Sequence, residues 1–238
     1  MIELEKLTVK FGGVTALDHV SARFEKPVSG IIGPNGAGKT TTMNVISGFL
    51  RATGRVCVDG VDLGGLSPHR RTRWGLRRCF QQEQIADDLS VADNLQVLLD
   101  ALPGTRTEKR ADLDSALDVT GLSARADTPA SELNTYERRL TDLARCLVGR
   151  PRLVVLDEPA GGLGPSETAH LGDLILSIAV LTGAQTLVID HDVDLISRIC
   201  EQTLVLDFGR RIACGETAAV LEDPKVRAAY LGIAEEGA

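Results

Sequence analysis

The chain is 238 residues long, 43% hydrophobic and 25% charged, enough for one large domain or a core with a subdomain. Its net charge of −7 argues against a surface built to wrap nucleic acid. Aromatics are only 3%, so the core must be aliphatic, and the longest apolar run, LILSIAVL from Leu174, is far short of the ~20 residues that span a bilayer.

In chain order, IELEKLTVKF alternates as a strand does. VSGIIGPNGAGKTTTMNVISGFL reads as strand, glycine loop and helix. RVCVDGVDL is two short extended runs around Asp59-Gly60, a hairpin signal that suggests an antiparallel β-layer. RRTRWGLRR from Arg70 is basic and reads as a solvated face or an inter-subunit contact. From about Asp87 to Arg150 the pattern turns helical, broken at Pro103-Gly104, as an inserted helical subdomain would be.

PRLVVLDEP and AQTLVIDHD are continuous apolar runs, typical of strands buried on both faces. Between them SETAHLGDLILSIAVLTGA is a helix, with Ser166 expected as its N-cap after Pro165. TLVLDFGRRIACG is a hairpin turning at Gly209, and Glu216 to Tyr230 looks helical. Strands alternating with helices imply an α/β core. The expected organisation is a single domain, residues 1–238, with its core in 1–86 and 151–238 and the helical subdomain in 87–150. Cys57, Cys79, Cys146, Cys200 and Cys214 form no CxxC pair and read as reduced core thiols of a cytosolic protein. No secretory leader is legible.

The strongest chemical signal is GPNGAGKT, Gly33 to Thr40, which fits GxxxxGK[ST] after an apolar strand and before a helix. Its glycines let successive backbone N–H groups point into one concavity, and the helix N-terminus adds a positive dipole end. Lys39 then reaches the β- and γ-phosphates, and the Thr40 hydroxyl ligates Mg²⁺. In LVVLDEP, Asp157 stands at the carboxyl end of a strand, where it can hold Mg²⁺ through water. Glu158 follows as general base or water-orienting group. In VIDHD, His191 follows a buried strand and is a candidate donor to the γ-phosphate. Gln81 alone carries no signal. Phe11 is either core packing or an adenine-stacking ring, the latter worth about 1–3 kcal/mol.

With these residues in order, the chain resembles the ATP-binding subunits of ABC transporters over essentially its whole length, and it is most similar to those of branched-chain amino acid importers. FGGVTALDHVS, DEPAGGLGPSET and PKVRAAYLG carry the closer likeness. The resemblance implies a P-loop NTPase fold with an N-terminal antiparallel layer and an inserted helical subdomain. It implies ATP and Mg²⁺ as ligands and two cassettes facing head to tail. Gly33, Pro34, Asn35, Gly36, Ala37, Gly38, Lys39, Thr40 and Thr41 would hold the nucleotide, with Phe11 on the adenine. Thr40, Gln81 and Asp157 would serve the metal, Glu158 the attacking water and His191 the γ-phosphate, making Glu158, His191 and Gln81 the catalytic set. Integral membrane permease subunits, touched through the Gln81 loop, and indirectly a solute-binding protein would be its partners. Its place would be peripheral, on the cytoplasmic face of the membrane. Importers of urea-like polar solutes look similar, and a regulatory or weakly hydrolysing subunit is the other reading. A soluble ATPase of translation or DNA repair and a P-loop small-molecule kinase fit less well.

Two departures stand out. Gly164 occupies a position where the family usually has aspartate. The family's signature, close to LSGGQ or LSYGQ, is here Leu133, Asn134, Thr135, Tyr136, Glu137. Asn134 and Glu137 have capping-box spacing, so the helix should survive. Tyr136 puts a side chain where bare backbone should meet phosphate, and Glu137 adds negative charge. Losing one transition-state donor costs about 3 kcal/mol, roughly a hundredfold in rate. Because a signature serves the partner's phosphate loop, the expectation is a heterodimer with a second, different ATP-binding subunit and unequal sites.

Overall fold

The computed structural model describes residues 1–230; Leu231 and Gly232, the end of the quoted PKVRAAYLG tail, lie outside them. The first half of the chain runs β1 (Ile2–Phe11), β2 (Val14–Phe24), β3 (Val28–Ile32), α1 (Lys39–Ser47), β4 (Thr53–Val58), β5 (Val61–Asp62), α2 (Pro68–Trp74), β6 (Leu76–Cys79), α3 (Val91–Asp100) and α4 (Arg106–Val119). It continues α5 (Thr135–Leu147), β7 (Leu153–Asp157), α6 (Pro165–Thr182), β8 (Gln185–Ile189), α7 (Val193–Ile199), β9 (Gln202–Asp207), β10 (Arg210–Glu216), α8 (Thr217–Glu222) and α9 (Pro224–Tyr230). Two compact units result, one of Met1–Arg71 with the described residues from Leu187 on, the other of Thr72–Thr186.

The first unit carries a four-stranded antiparallel sheet in the order β2-β1-β4-β5. Its β4–β5 hairpin closes through Asp59 (φ 49°) and Gly60 (φ 77°), two left-handed residues in a row, as a two-residue hairpin turn requires. The expected turn of the β9–β10 hairpin is built the same way, with Phe208 at φ 43° and Gly209 at φ 75°. Strand β3, VSGII, is buried along its whole length and pairs in parallel with β9.

The second unit holds helices α3 to α6 and the parallel β6–β7 pair. Thr105 and Glu108 cap α4 reciprocally, and Ser90 caps α3. Leu95, Leu99, Leu113, Leu117, Leu140 and Leu143 form the buried helical core. The N-cap of α6 is Gly164, not Ser166 as the sequence suggests. Pro165 has a fixed φ and no N–H, so it suits the first helical position and moves the cap upstream. The Glu167 carboxylate accepts the Gly164 N–H at 2.9 Å.

The larger surprise is RRTRWGLRR, which is not a solvated face. Arg71 and Arg77 are buried. The Arg71 guanidinium donates to the carbonyls of Val45 (2.7 Å), Ile46 (2.5 Å) and Leu66 (3.0 Å), closing the C-terminal end of α1. It fits there because the next turn is Gly48, where a Cβ would stand 2.8 Å from Arg71 Nε. Arg77 donates to the carbonyls of Thr72, Leu76, Val148 and Gly149. Burial pushes both guanidinium pKa values down. Hydropathy counts arginine as surface, but five donors in a planar fork can satisfy a cluster of buried carbonyls.

Cys79 and Cys146 lie 3.3 Å apart, both buried, joining β6 to α5. Arg71→Met should cost about 2–4 kcal/mol in urea unfolding, because carbonyls that water cannot reach lose their donors. Exposed Arg70→Met should stay within about 0.5 kcal/mol of the wild type.

Candidate functional site

In the first unit, β3 ends at Ile32 and the chain turns through Gly33–Gly38 into α1. The turn is held from outside by the β9–β10 hairpin. The Gly209 N–H donates to Ala37 O (3.0 Å), and Gly209 O accepts the Asp18 N–H (2.8 Å). At Gly33 (φ +148°) a Cβ would collide with the Leu206 carbonyl oxygen, whereas at Gly36 (φ +81°) it would meet nothing within 4 Å. One glycine lets the loop lie against its support, and the other leaves space above it.

Lys39 is buried, and its ammonium donates to Gly33 O (2.7 Å) and Pro34 O (3.0 Å), curled over the loop. The N-terminus of α1 has Gly38 as its cap, no side-chain cap hydrogen bond and no acidic residue in its first turn. Backbone N–H groups, a positive helix end, open space and a fixed cation make a cradle suited to phosphate. Asn35 and Thr40 are exposed, and Pro34 and Thr41 half-buried. Phe11, at the end of β1, is 50% exposed and so is not core packing. His191 follows β8 with its side chain 68% exposed, and its Nδ1 stands 3.5 Å from Asp190 Oδ1. Asp190 is held in turn by the Asp192 N–H (3.0 Å), and Asp192 caps α7.

In the second unit, β7 delivers Asp157 and Glu158 beside the end of β6. Arg78 NH2 donates to Asp157 Oδ2 at 2.9 Å, both side chains being sealed from solvent at 4% and 3% exposure. Burial pushes the Arg78 guanidinium pKa down, and the Asp157 charge pulls it back. Glu158 sits at φ 51°, a left-handed conformation rare for a residue with a Cβ. Its Oε2 accepts the Gln81 amide N–H at 2.8 Å. With its nitrogen engaged there, the Gln81 side chain has its carbonyl oxygen left as an acceptor. Within this unit Asp157 and Gln81 carry hard oxygen atoms, the donor type that Mg²⁺ takes.

Helix α5 begins with the odd stretch. Asn134 Oδ1 accepts the Glu137 N–H (2.8 Å), and Glu137 Oε2 accepts the Asn134 N–H (3.1 Å), so the expected capping box forms. Glu137 Oε1 also takes the Arg125 Nε–H at 3.0 Å. The Tyr136 hydroxyl is hydrogen-bonded to His170 Nδ1 on α6. Burial and the nearby Glu167 charge push the Tyr136 pKa up. Thr135 is exposed.

Further along α5, Arg138 bonds to Asp87 (2.8 Å) and Arg139 to Glu83 (3.3 Å). Arg139 also donates to the carbonyls of Phe80 and Gln81, and Arg145 to that of Gln84. Three arginines thus strap residues 80–87 to α5. The sequence reading missed Arg78, Arg125, His170 and this strap. The available signal was a cluster of arginines inside segments otherwise patterned as strand and helix.

A profile described as ABC transporter matches residues 17–161. A second, described as branched-chain amino acid ATP-binding cassette transporter, matches residues 210–236. The chain is 34% identical, over 98% of both sequences, to the high-affinity branched-chain amino acid transport ATP-binding protein BraF of Pseudomonas aeruginosa. It is 34% identical to the lipopolysaccharide export system ATP-binding protein LptB of Acidithiobacillus ferridurans, over 86% of this chain and 85% of that one. Among solved structures, an ATP-binding cassette of an ABC transporter in its ADP conformation superposes with a TM-score of 0.86 at 31% identity, covering 98% of this chain and 99% of the other.

The two glycines make opposite predictions. Gly33→Ala should destabilise the fold by more than about 3 kcal/mol, because backbone has to move to admit the Cβ. Gly36→Ala should cost about 1 kcal/mol, the conformational term alone. Urea denaturation of the two variants checks the difference.

Proposed function

From the premise that the chain belongs to the ABC transporter family as an ATP-binding cassette, we propose that it binds ATP on the loop Gly33–Thr41 and hydrolyses it to drive a solute importer. The transported solute is a branched-chain or other small amino acid. The observation that carries this reading is the cradle itself: a helix N-terminus free of side-chain caps beneath a glycine loop, with Lys39 folded onto the loop carbonyls. Likeness to BraF over 98% of the chain and the match at residues 210–236 support the substrate class.

In this reading Lys39 leaves the Gly33 and Pro34 carbonyls for the β- and γ-phosphates, while the α1 N–H groups receive phosphate oxygens. Phe11 offers a half-exposed ring to the adenine. Mg²⁺, if bound, would supply the positive charge that offsets charge developing on the phosphates. Thr40, Gln81 and Asp157 are the side chains that would supply its oxygen donors. Glu158 orients the attacking water and takes its proton, after giving up the Gln81 amide. His191 donates to the γ-phosphate.

The partners are a second, different cassette and integral membrane permease subunits, with a solute-binding protein acting through them. The chain sits peripherally on the cytoplasmic face. No helix among the described residues is long and apolar enough to cross a membrane, in keeping with that placement. Unequal sites follow from the two helix ends. At α1 the cap residue is Gly38 and makes no side-chain cap hydrogen bond, whereas at α5 the third N–H is already taken by Asn134. Tyr136 and Glu137 replace bare backbone beside it. The partner's phosphate loop, served by α5, is the slow site.

Lys39→Ala should abolish ATP binding and transport, measured by nucleotide titration and by uptake in reconstituted vesicles. Glu158→Gln should bind ATP at wild-type affinity while turnover falls at least a hundredfold; brisk turnover removes the base role. The isolated chain should hydrolyse slowly, and adding the cassette that co-purifies from native membranes should restore the rate. Two equally fast phases in a single-turnover assay of that pair would refute the asymmetry.

A further inference from the structure

Asp157 is a carboxylate at the end of a strand whose five residues are all buried. An ion so placed is held charged only by a partner of opposite sign. Parallel register aligns Arg78 with Val155 and Cys79 with Leu156, so Phe80 comes level with Asp157. Phe80, the residue after β6, lies two positions beyond Arg78 and so follows it on the same side of the chain, and Arg78 reaches Asp157 on the diagonal. The guanidinium carbon stands 4.4 Å from the Phe80 ring centroid. The ring therefore supports the cation on one side while the carboxylate takes a 2.9 Å N–H bond. None of the roles assigned above uses this arginine.

The geometry points to Arg78 as a positioning residue for the metal-side carboxylate. Its planar fork, braced on Phe80, fixes the direction in which Asp157 presents its oxygens to a divalent cation. This inference rests on the reading of Asp157 as a metal-holding group. Arg77 supplies a built-in comparison, being buried on the same strand but bonded to backbone carbonyls alone.

The test is Mn²⁺ binding by the full chain with a non-hydrolysable ATP analogue, read from the loss of the free-ion signal in electron paramagnetic resonance. Metal-free nucleotide affinity is measured alongside. Losing a hydrogen-bonding partner of a ligand typically weakens metal binding about 10–100-fold. Arg78→Met should therefore weaken Mn²⁺ at least tenfold and leave metal-free nucleotide affinity within about twofold. Arg77→Met should lower the melting temperature and keep wild-type Mn²⁺ affinity.

Arg78→Lys keeps the charge without the fork and should weaken Mn²⁺ several-fold; it decides the question if the methionine variant does not fold. Wild-type Mn²⁺ affinity in a folded Arg78 variant, or equal weakening by Arg77→Met, overturns the inference. Asp157→Asn separates the two levels. If it leaves Mn²⁺ affinity intact, the reading of Asp157 fails. If it abolishes binding while the Arg78 variants do not, only the positioning role fails.

Discussion

A carboxylate at the end of a doubly buried strand cannot stand alone. Asp157, sealed from solvent, needs a positive group beside it, and the buried chain around β7 has to supply one. Arg78 meets that need from the neighbouring strand. The consequence spreads outward. Once β6 must deliver an arginine to that point, its next residues follow in register, and Gln81 arrives within hydrogen-bonding distance of Glu158. Two acidic groups and the two side chains that engage them thus come from the ends of two adjacent strands. Buried ion pairs are weak sources of stability, because desolvation offsets most of the attraction. The role inferred for this one is orientation instead.

The glycine loop of the other unit, Gly33–Gly38, obeys a different constraint, that of close approach. Backbone must touch backbone where Gly33 passes the Leu206 carbonyl, and the β9–β10 turn must reach in to bond Ala37. A loop so braced keeps its N–H groups aimed without a ligand present. Such preorganisation is how a binding site avoids reorganising when charge arrives.

The sequence disclosed what obeys local rules. Gly33 to Thr40, the Asp59-Gly60 turn, the Gly209 turn and the apolar runs of β3, β7 and β8 each follow from spacing or from a residue's conformational freedom. The capping box of Asn134 and Glu137 was equally legible. The roles of Arg71, Arg77 and Arg78 were not, because local hydropathy assigns a guanidinium to water. Its burial is decided by carbonyls and carboxylates far away in sequence, such as Val148 and Asp157. Ser166 failed as a cap for a related reason: two caps compete near any proline, and backbone geometry chooses. Nor could pattern show that Glu137 also engages Arg125, or that Tyr136 engages His170.

The arginine strap between residues 80–87 and α5 bears on how such cassettes could be recombined. Its contacts divide by kind. Those to the carbonyls of Phe80, Gln81 and Gln84 read only backbone and would accept a foreign loop. Those to Glu83 and Asp87 read side chains and would not. A chimera that grafts this loop without α5 keeps half of the fastening. A working transplant has to move both pieces together as one module.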